Sequence, residues 1–220
     1  FRRHFTSSGR GRLTKPELKE IIGYLSAHGE IRELLLSGGD PLTLGDREID
    51  AIIGEIVKER PDLSLRLCTR MPAVLPSRIT EELVLCLCKY RSLWVVTHFN
   101  HPLELTEQST AALSRFIDSG IPVVNQTVLL RGVNDSGSVL ETLFSGLVYR
   151  RVKPYYLLQG DLARGTGHLR VPLKRSFGIV RELRSRISGL AMPVFAMDLP
   201  GGKSEEHTSE LQSRITISYA

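Results

Sequence analysis

One unit recurs along most of the chain: a short, almost continuously apolar run, a turn, and then a segment with apolar residues three or four positions apart. Continuous apolar runs predict strands that are buried on both faces, and the longer-period segments predict amphipathic helices. The predicted strands are 31–37, 63–68, 93–97, 121–130, 153–158 and 192–197. The predicted helices are 14–25, 46–58, 77–89, 106–119, 136–149 and 172–188.

Strands that alternate with helices in this way are typical of a parallel sheet with helical crossovers. The spacing of the units is even, and no Gly-x-Gly-x-x-Gly follows a predicted strand, which argues against an open dinucleotide-binding sheet. The expected fold is therefore α/β: a partial (β/α) TIM-like barrel with the parallel strands inside and the helices outside.

Composition excludes several classes of protein. The 220 residues are 41% hydrophobic, which is enough for a core, and no apolar run reaches the roughly 18 residues of a membrane span. Three cysteines point to a reducing compartment, so the expected location is the cytoplasm. The net charge of +5 comes with only 6% aromatic residues, which does not favour nucleic-acid binding. The first residue is Phe1, and we expect the chain to begin inside a domain.

Polar residues collect where the predicted strands end. They are Ser37-Gly38-Gly39-Asp40, Thr69-Arg70, His98-Phe99-Asn100-His101, Asn125-Gln126 within their strand, Gln159-Gly160-Asp161, and Asp198. The carboxyl ends of barrel strands form one mouth, where such folds place their active sites. Loops are polar in any case, so each position alone has an ordinary explanation, but the six together predict a site.

Each of these signals has an alternative reading. The backbone N–H groups of Gly38 and Gly39 could bind a carboxylate, or the pair could simply form a tight turn. The His98-x-x-His101 spacing could belong to a metal pair, but no third ligand is adjacent, so no metal site is expected.

The aspartates and cysteines also have ordinary structural explanations. Asp161 and Asp198 could converge on an ammonium group of a substrate, or they could cap helices. Cysteines 68, 86 and 88 lie in a strand-like and a helix-like segment, where they are expected to pack as small hydrophobic residues.

Taken together, the motifs resemble the lysine 2,3-aminomutase family of radical S-adenosylmethionine (SAM) enzymes. The matching segments, in family order and spacing, are FRRHF (1–5), LLSGGDP (35–41), THFNHP (97–102), NQTVLLRGVND (125–135), KPYY (153–156), QGD (159–161), HLRVP (168–172) and DLPGG (198–202). The resemblance covers residues 1 to about 203.

The resemblance implies a (β/α) barrel of the radical SAM type and three cofactors: a [4Fe-4S] cluster, S-adenosylmethionine and pyridoxal 5′-phosphate. In such enzymes the cofactors carry the radical chemistry and the protein positions it. By matching motifs, Arg2 would bind the carboxylate of lysine, and Asp161 and Asp198 would bind its distal ammonium. Cofactor-binding positions by the same matching are Ser37, Gly38, Gly39 and Asp40 at the methionyl end of SAM, with His98 and Gln126 lining the cavity.

The chain departs from the family pattern at both ends. The family's Cys-x-x-x-Cys-x-x-Cys cluster motif ends immediately before the position of Phe1, so no cluster ligand is expected within this chain. The lysine that bonds pyridoxal phosphate falls on Glu205, and Lys203 lies two residues too early. No catalytic residue is therefore assigned, and the chain alone is expected to be inactive.

The last residues have a different character. The segment SEEHTSELQS (204–213) resembles a translated sequencing adapter and breaks the apolar pattern. Residues 1–203 are accordingly expected to form the aminomutase core, truncated at both ends, and residues 204–220 a non-native, disordered tail.

The expected activity is that of an L-lysine 2,3-aminomutase, an isomerase that shifts the amino group of lysine to give β-lysine. The alternatives are a sibling aminomutase that modifies lysine for a translation elongation factor, and a non-catalytic barrel fragment. Asp161 and Asp198 favour free lysine over glutamate, because a second carboxylate would be repelled there. The expected partner is this small molecule, with no nucleic acid and no membrane, and the enzyme could be a homo-oligomer.

Overall fold

The computed structural model describes residues 13–161, 165–199, 203–206 and 215–219; of residues 198–199, 203–206 and 215–219 it describes the backbone. Within these residues one sheet contains eight strands: β1 (Glu33–Gly38), β2 (Ser64–Cys68), β3 (Leu93–Thr97), β4 (Val123–Leu129), β5 (Lys153–Gln159), β6 (Val194–Leu199), β7 (Lys203–Glu206) and β8 (Ile215–Tyr219). Their order in the sheet is β7-β6-β5-β4-β3-β2-β1-β8.

Seven α-helices connect or flank these strands: α1 (Lys15–Ala27), α2 (Asp46–Glu59), α3 (Met71–Val74), α4 (Glu81–Cys88), α5 (Glu107–Asp118), α6 (Gly137–Tyr149) and α7 (Leu173–Arg184). Strands β1 to β6 are parallel neighbours in chain order. The prediction of a partial (β/α) barrel is confirmed. No helix among the described residues is both long enough and apolar enough to cross a membrane.

The sheet has two different faces, and alternation along each strand separates them. Leu34 and Leu36 of β1 are buried, as is Val95 of β3, and all three belong to the core that the strands share with the helices. On the helical side, α2 contributes Ile49, Ile52, Ile53 and Ile56, spaced so that one stripe packs on the sheet. The opposite face lines the open interior of the partial barrel.

Side-chain caps fix where several helices begin. Thr14 accepts a hydrogen bond from the backbone of Glu17, whose own side chain bonds back to the Thr14 backbone, so a capping box starts α1. Thr106 and Ser136 cap α5 and α6 in the same position. Each cap satisfies an N–H group that the first helical turn would otherwise leave unpaired.

Two predicted helices are shorter in the structure. The segment 77–89 divides into a 3₁₀ turn at Pro76–Arg78 and helix α4, because the Thr80 side chain accepts from the Leu83 backbone N–H at 3.2 Å and starts a new helix there. The last predicted helix ends at Arg184 rather than at residue 188. The four-residue helix α3, which begins after Arg70, was not predicted.

Two parts of the tail that was expected to be disordered are strands in the structure. β7 pairs antiparallel with β6, and β8 pairs parallel with β1. Both outer strands of a parallel sheet present unpaired N–H and C=O groups, so any extended segment within reach can complete their ladders. The pairing of 203–206 and 215–219 thus follows from backbone hydrogen bonding and does not require an apolar pattern.

Candidate functional site

The carboxyl ends of β1 to β6 lie along one edge of the sheet, because these strands are parallel. Ser37 and Gly38 end β1, His98 follows β3, and Asp161 comes two residues after β5. Gln126 lies inside β4, further from the edge. These predicted site residues are therefore brought to the same end of the barrel. Arg2 lies outside the described residues, so its predicted role is not addressed by the structure.

Asp40 ties the end of β1 to the end of β2. Its Oδ1 accepts from the Leu42 backbone N–H at 3.0 Å and from the Thr69 hydroxyl at 2.8 Å, and its Oδ2 accepts from the Arg70 backbone N–H at 2.7 Å. The side chain was predicted to face SAM. In the structure its two carboxylate oxygens join the turn after β1 to the residues after β2, so the side chain supports the wall of the site.

The glycine pair next to Asp40 places no side chain over the end of β1, where the Gly38 backbone pairs with Tyr219 of β8. Gly38 has φ 137°, which side chains with a Cβ rarely adopt, so a residue other than glycine would strain this turn. Ser37, Gly38 and Gly39 are half-buried at the mouth. Backbone N–H groups without neighbouring side chains can approach a carboxylate closely.

A buried asparagine fixes the loop that carries His98. Asn125 is fully buried on the helix-facing side of β4, and its Oδ1 accepts from the Phe99 N–H at 2.8 Å and the Thr97 hydroxyl at 3.1 Å. Its Nδ2 donates to the Phe99 carbonyl at 3.2 Å and to the Thr127 hydroxyl at 2.9 Å. All of the hydrogen-bonding capacity that a side-chain amide normally uses is engaged here. Asn125, expected at the mouth, therefore holds the loop from outside the barrel.

Two more asparagines, which the sequence analysis did not connect, continue this network. The Asn100 Oδ1 accepts from the Val128 N–H at 2.8 Å. The Asn134 Nδ2 donates to the carbonyls of Asn100 and Val128, each at 2.8 Å, and its Oδ1 accepts from the Leu130 N–H at 2.7 Å. Hydrogen bonds from these two side chains thus connect the loop after β3 to the end of β4 and the loop that follows it.

His98 and Gln126 are the two predicted site residues after β3 and on β4, and the Gln126 side chain remains open. Both are half-buried, and the Gln126 amide makes no hydrogen bond within the described part of the chain. Opposite Gln126 lies Tyr156, which is 4% exposed, at a bulge where β5 has one residue more than β4. The bulge turns Tyr155 and Tyr156 to the same side, and their hydroxyls are 3.0 Å apart. Gln126 is therefore available to a ligand in the barrel interior.

The second histidine of the His-x-x-His spacing has a structural role. His101 Nδ1 accepts from the Leu103 N–H at 3.2 Å and caps the 3₁₀ turn Pro102–Glu104. Among the described residues no group of three or more His, Cys, Asp or Glu could hold a metal ion.

Cys68 ends β2 on the interior face. Burial raises the pKa of its thiol to about 11, so the thiol is protonated at neutral pH. Cys86 and Cys88 lie half-buried on α4, apart from the mouth.

Gln159 at the end of β5 is also occupied by the fold. Its Nε2 donates to the Val171 carbonyl at 2.7 Å, and its Oε1 accepts from the Ser176 hydroxyl at 2.7 Å. The side chain anchors the returning loop and the first turn of α7. It was counted among the polar strand ends that face the mouth, but it points to the helical side.

Asp161 lines a cavity of about 190 Å³ between the ends of β4 and β5. The other lining residues are Val128, Leu130, Gly160, Thr166, Leu169 and Arg170. Apolar walls with a carboxylate and a guanidinium form a small pocket suited to a charged end group on an aliphatic chain.

Asp198 lies in the adjacent strand. Leu158 of β5 pairs with Ala196 of β6, so Asp161 is three residues beyond this pair and Asp198 is two residues beyond it. The backbone of Asp198 pairs with Ser204, and that of Glu205 with Met197. The two aspartates thus belong to the carboxyl ends of neighbouring strands.

A second cavity, of about 400 Å³, opens at the other end of the barrel interior and was not foreseen from the sequence. Here Arg66 forms a partly buried ion pair with Glu33 and lies over the Tyr155 ring, 5.5 Å from its centre. Lys153 donates to the carbonyls of Leu190 and Met192, and burial lowers its pKa. These residues lie near the amino ends of the strands, away from the mouth.

The sequence relatives are aminomutases, although no protein-family model matches the chain. The L-lysine 2,3-aminomutase of Methanococcus maripaludis is 45% identical over 189 residues, which are 86% of this chain and 44% of that protein. The L-lysine 2,3-aminomutase of Clostridium subterminale is 43% identical over 202 residues, 91% of this chain and 48% of that protein. The glutamate 2,3-aminomutase of Clostridioides difficile is 38% identical over 194 residues, 87% of this chain and 46% of that protein. The chain spans about half the length of the curated relatives it matches.

The solved structures that share its fold include a radical SAM enzyme. A radical SAM methyltransferase from Sphaerobacter thermophilus matches with a TM-score of 0.58 at 18% identity, over 84% of this chain and 58% of that one. Streptococcus suis SuiB bound to S-adenosylmethionine matches with a TM-score of 0.58 at 14% identity, over 85% of this chain and 44% of that one. At such identities the likeness concerns the fold, and it confirms a partial barrel of the radical SAM type.

Proposed function

The chain belongs to the lysine 2,3-aminomutase family over the part of those proteins that it spans, and from this we propose that it is the substrate- and SAM-binding core of an L-lysine 2,3-aminomutase. The reaction is an isomerisation that moves the amino group of lysine from one carbon to its neighbour. The substrate is free lysine, and nucleic acid and membrane take no part. The setting we propose is the cytoplasm, with a homo-oligomer as the assembly.

The observation that carries the choice of substrate is the position of the two aspartates. Asp161 and Asp198 belong to the carboxyl ends of adjacent strands, and Asp161 lines a cavity with largely apolar walls. The aliphatic chain of lysine suits such walls, and two carboxylates would hold its ammonium by charge-assisted hydrogen bonds. Binding both ends of the substrate fixes which of its hydrogens faces the reacting group. In this proposal Arg2 binds the opposite end, the carboxylate.

The residues of the mouth fit S-adenosylmethionine. The backbone around Gly38 and Gly39, which carries no side chains, suits its methionyl carboxylate, and the half-buried His98 and the open amide of Gln126 belong to the neighbouring strand ends of β3 and β4. When bound there and reduced by one electron, SAM would supply the radical that takes a hydrogen from the substrate. Asp40 and Asn125 keep the surrounding loops in place and need not touch it.

The residues of this chain do not fit the cluster or pyridoxal phosphate. Its three cysteines lie in β2 and α4 without the spacing of a cluster motif, and a glutamate stands where the family has the lysine that bonds pyridoxal phosphate. No step of the reaction is assigned to these groups here. We therefore propose that the 220-residue chain binds substrate and SAM but does not turn lysine over.

The test uses the protein restored to full length with its adjoining coding sequence. We expect anaerobic incubation with SAM, pyridoxal phosphate, a reductant and L-lysine to give β-lysine. Asp161→Asn and Asp198→Asn should each raise the KM for lysine at least tenfold, since each removes one carboxylate from the ammonium. The matched control is Asp118→Asn, at an exposed ion pair with Arg151 at the end of α5, which should leave KM unchanged. Conversion of lysine to a product other than β-lysine would refute the assignment. An unaltered KM for lysine in both Asp161→Asn and Asp198→Asn would also refute it.

Glutamate is the second candidate substrate, because one relative is a glutamate 2,3-aminomutase at 38% identity. Its side-chain carboxylate would lie against Asp161, where two like charges disfavour binding. Competition between L-lysine and L-glutamate in the same assay separates the two candidates. We expect glutamate to leave β-lysine formation unaffected at concentrations near the KM for lysine.

A further inference from the structure

The segment 165–171 runs beside the end of β4 and lines one side of the small cavity. Leu130 and Arg170 form an antiparallel backbone bridge, and the Arg131 N–H donates to the Leu169 carbonyl at 2.7 Å. The Gln159 side chain holds Val171 at 2.7 Å. The Leu130–Arg170 bridge, which includes the Arg131–Leu169 hydrogen bond, and the Gln159 side chain therefore hold this segment without the Arg170 side chain.

The Arg170 guanidinium contacts the residue proposed to bind the substrate. Its Nη2 donates to the backbone carbonyl of Asp161 at 3.2 Å. Its Nε is buried and has no hydrogen-bond partner among the described residues. Arg170 and Asp161 line the same cavity of about 190 Å³. A guanidinium has five N–H donors in a rigid plane, and in Arg170 one of them engages the Asp161 carbonyl.

We propose that Arg170 is a positioning residue for Asp161 and thereby sets the preference for a substrate that ends in an ammonium group. This inference rests on the proposed function, in which Asp161 binds that ammonium. Asp161 follows β5 beyond the ladder hydrogen bonds, so a side-chain contact to its backbone carbonyl can serve as an anchor for the carboxylate. Arg170 provides that anchor from the opposite wall of the cavity.

The charge of Arg170 makes the proposal distinguishable from a direct effect on the ligand. A guanidinium in the same cavity repels an ammonium, so by charge alone its removal would tighten lysine binding. If Arg170 acts by holding Asp161, its removal weakens lysine binding instead. The two effects have opposite signs.

The experiment measures binding to the 220-residue chain by isothermal titration, with L-lysine and with L-norleucine, which has the same carbon chain without the terminal amine. We expect Arg170→Gln to raise the Kd for lysine at least tenfold and to leave the Kd for norleucine within twofold. Arg170→Lys, which keeps one donor and the charge, should fall between the parent and Arg170→Gln. The matched control is Arg131→Gln, because the Arg131 Nε donates at 3.0 Å to the His168 carbonyl in the same segment without touching Asp161.

Each outcome decides a different point. An unchanged or lower Kd for lysine in Arg170→Gln overturns the positioning role. An equal rise for lysine and norleucine also overturns it, since that result indicates a role in folding alone. A parent chain that binds lysine no better than norleucine refutes the proposed ammonium site and this inference with it.

Discussion

Replacing Asn125 by alanine should cost much more stability than its position in a polar strand end suggests. The Asn125 amide is buried and makes four hydrogen bonds to three residues, two of them to the backbone of Phe99. Phe99 is itself fully buried, so water cannot replace the lost partner. The substitution therefore removes the clamp on the loop that carries His98.

The expected loss can be worked out bond by bond. The buried Phe99 N–H loses its acceptor, which costs about 1–3 kcal/mol, and the lost bonds from the amide nitrogen add about 1 kcal/mol. The Thr97 hydroxyl retains its bond to the Val124 carbonyl, and the Thr127 hydroxyl retains its bond to the Phe99 carbonyl. The free energy of unfolding should fall by about 2–4 kcal/mol, which for a chain of this size lowers the melting temperature by roughly 4–16 °C.

Urea unfolding followed by circular dichroism measures this loss, and the neighbouring residue provides the control. Gln126→Ala changes an amide in the same strand that makes no hydrogen bond among the described residues, so its effect should stay within about 0.5 kcal/mol. If both variants lose the same small amount, the network around Asn125 does not stabilise the fold and the reasoning is wrong.

Three further predictions concern other residues. Asp40→Ala removes the acceptor of the Arg70 N–H and should lower the free energy of unfolding by about 1–3 kcal/mol in the same urea experiment; an unchanged midpoint would contradict this. The Arg60 hydrogen bonds lower the pKa of Asp62 to about 2. The stabilisation by the Asp62 carboxylate is therefore present above its ordinary pKa near 3.8 and is lost as the pH falls through 2. The difference in free energy of unfolding between the parent and Asp62→Asn should shrink as the pH falls across that window, and a difference that grows there would contradict the prediction. Iodoacetamide at pH 8 should alkylate Cys86 and Cys88 before Cys68, because burial raises the pKa of Cys68 to about 11; mass spectrometry that finds Cys68 modified first would refute this.

The sequence alone determined the kind and order of the elements through the barrel. Apolar runs without alternation predicted strands covered on both faces, and apolar residues three or four positions apart predicted amphipathic helices. Parallel pairing followed from the helical connections, and it brought the strand ends to one edge. These features depend on residues a few positions apart, so they can be recognised in the chain itself. Family resemblance supplied the candidate roles of Asp161 and Asp198.

Only the tertiary structure decided which polar strand ends are free to meet a ligand. Asp40 bonds to residues about 30 positions away, Asn125 to a loop 26 positions away, and Gln159 to the start of α7. Their sequence surroundings are as polar as those of Gln126, whose amide stays open toward the barrel interior. A buried donor or acceptor takes whichever partner the packing of distant segments places within about 3 Å, and that choice leaves no local signal in the chain. The contact from Arg170 to Asp161 arises in the same way, from a segment that pairs with the end of the neighbouring strand β4.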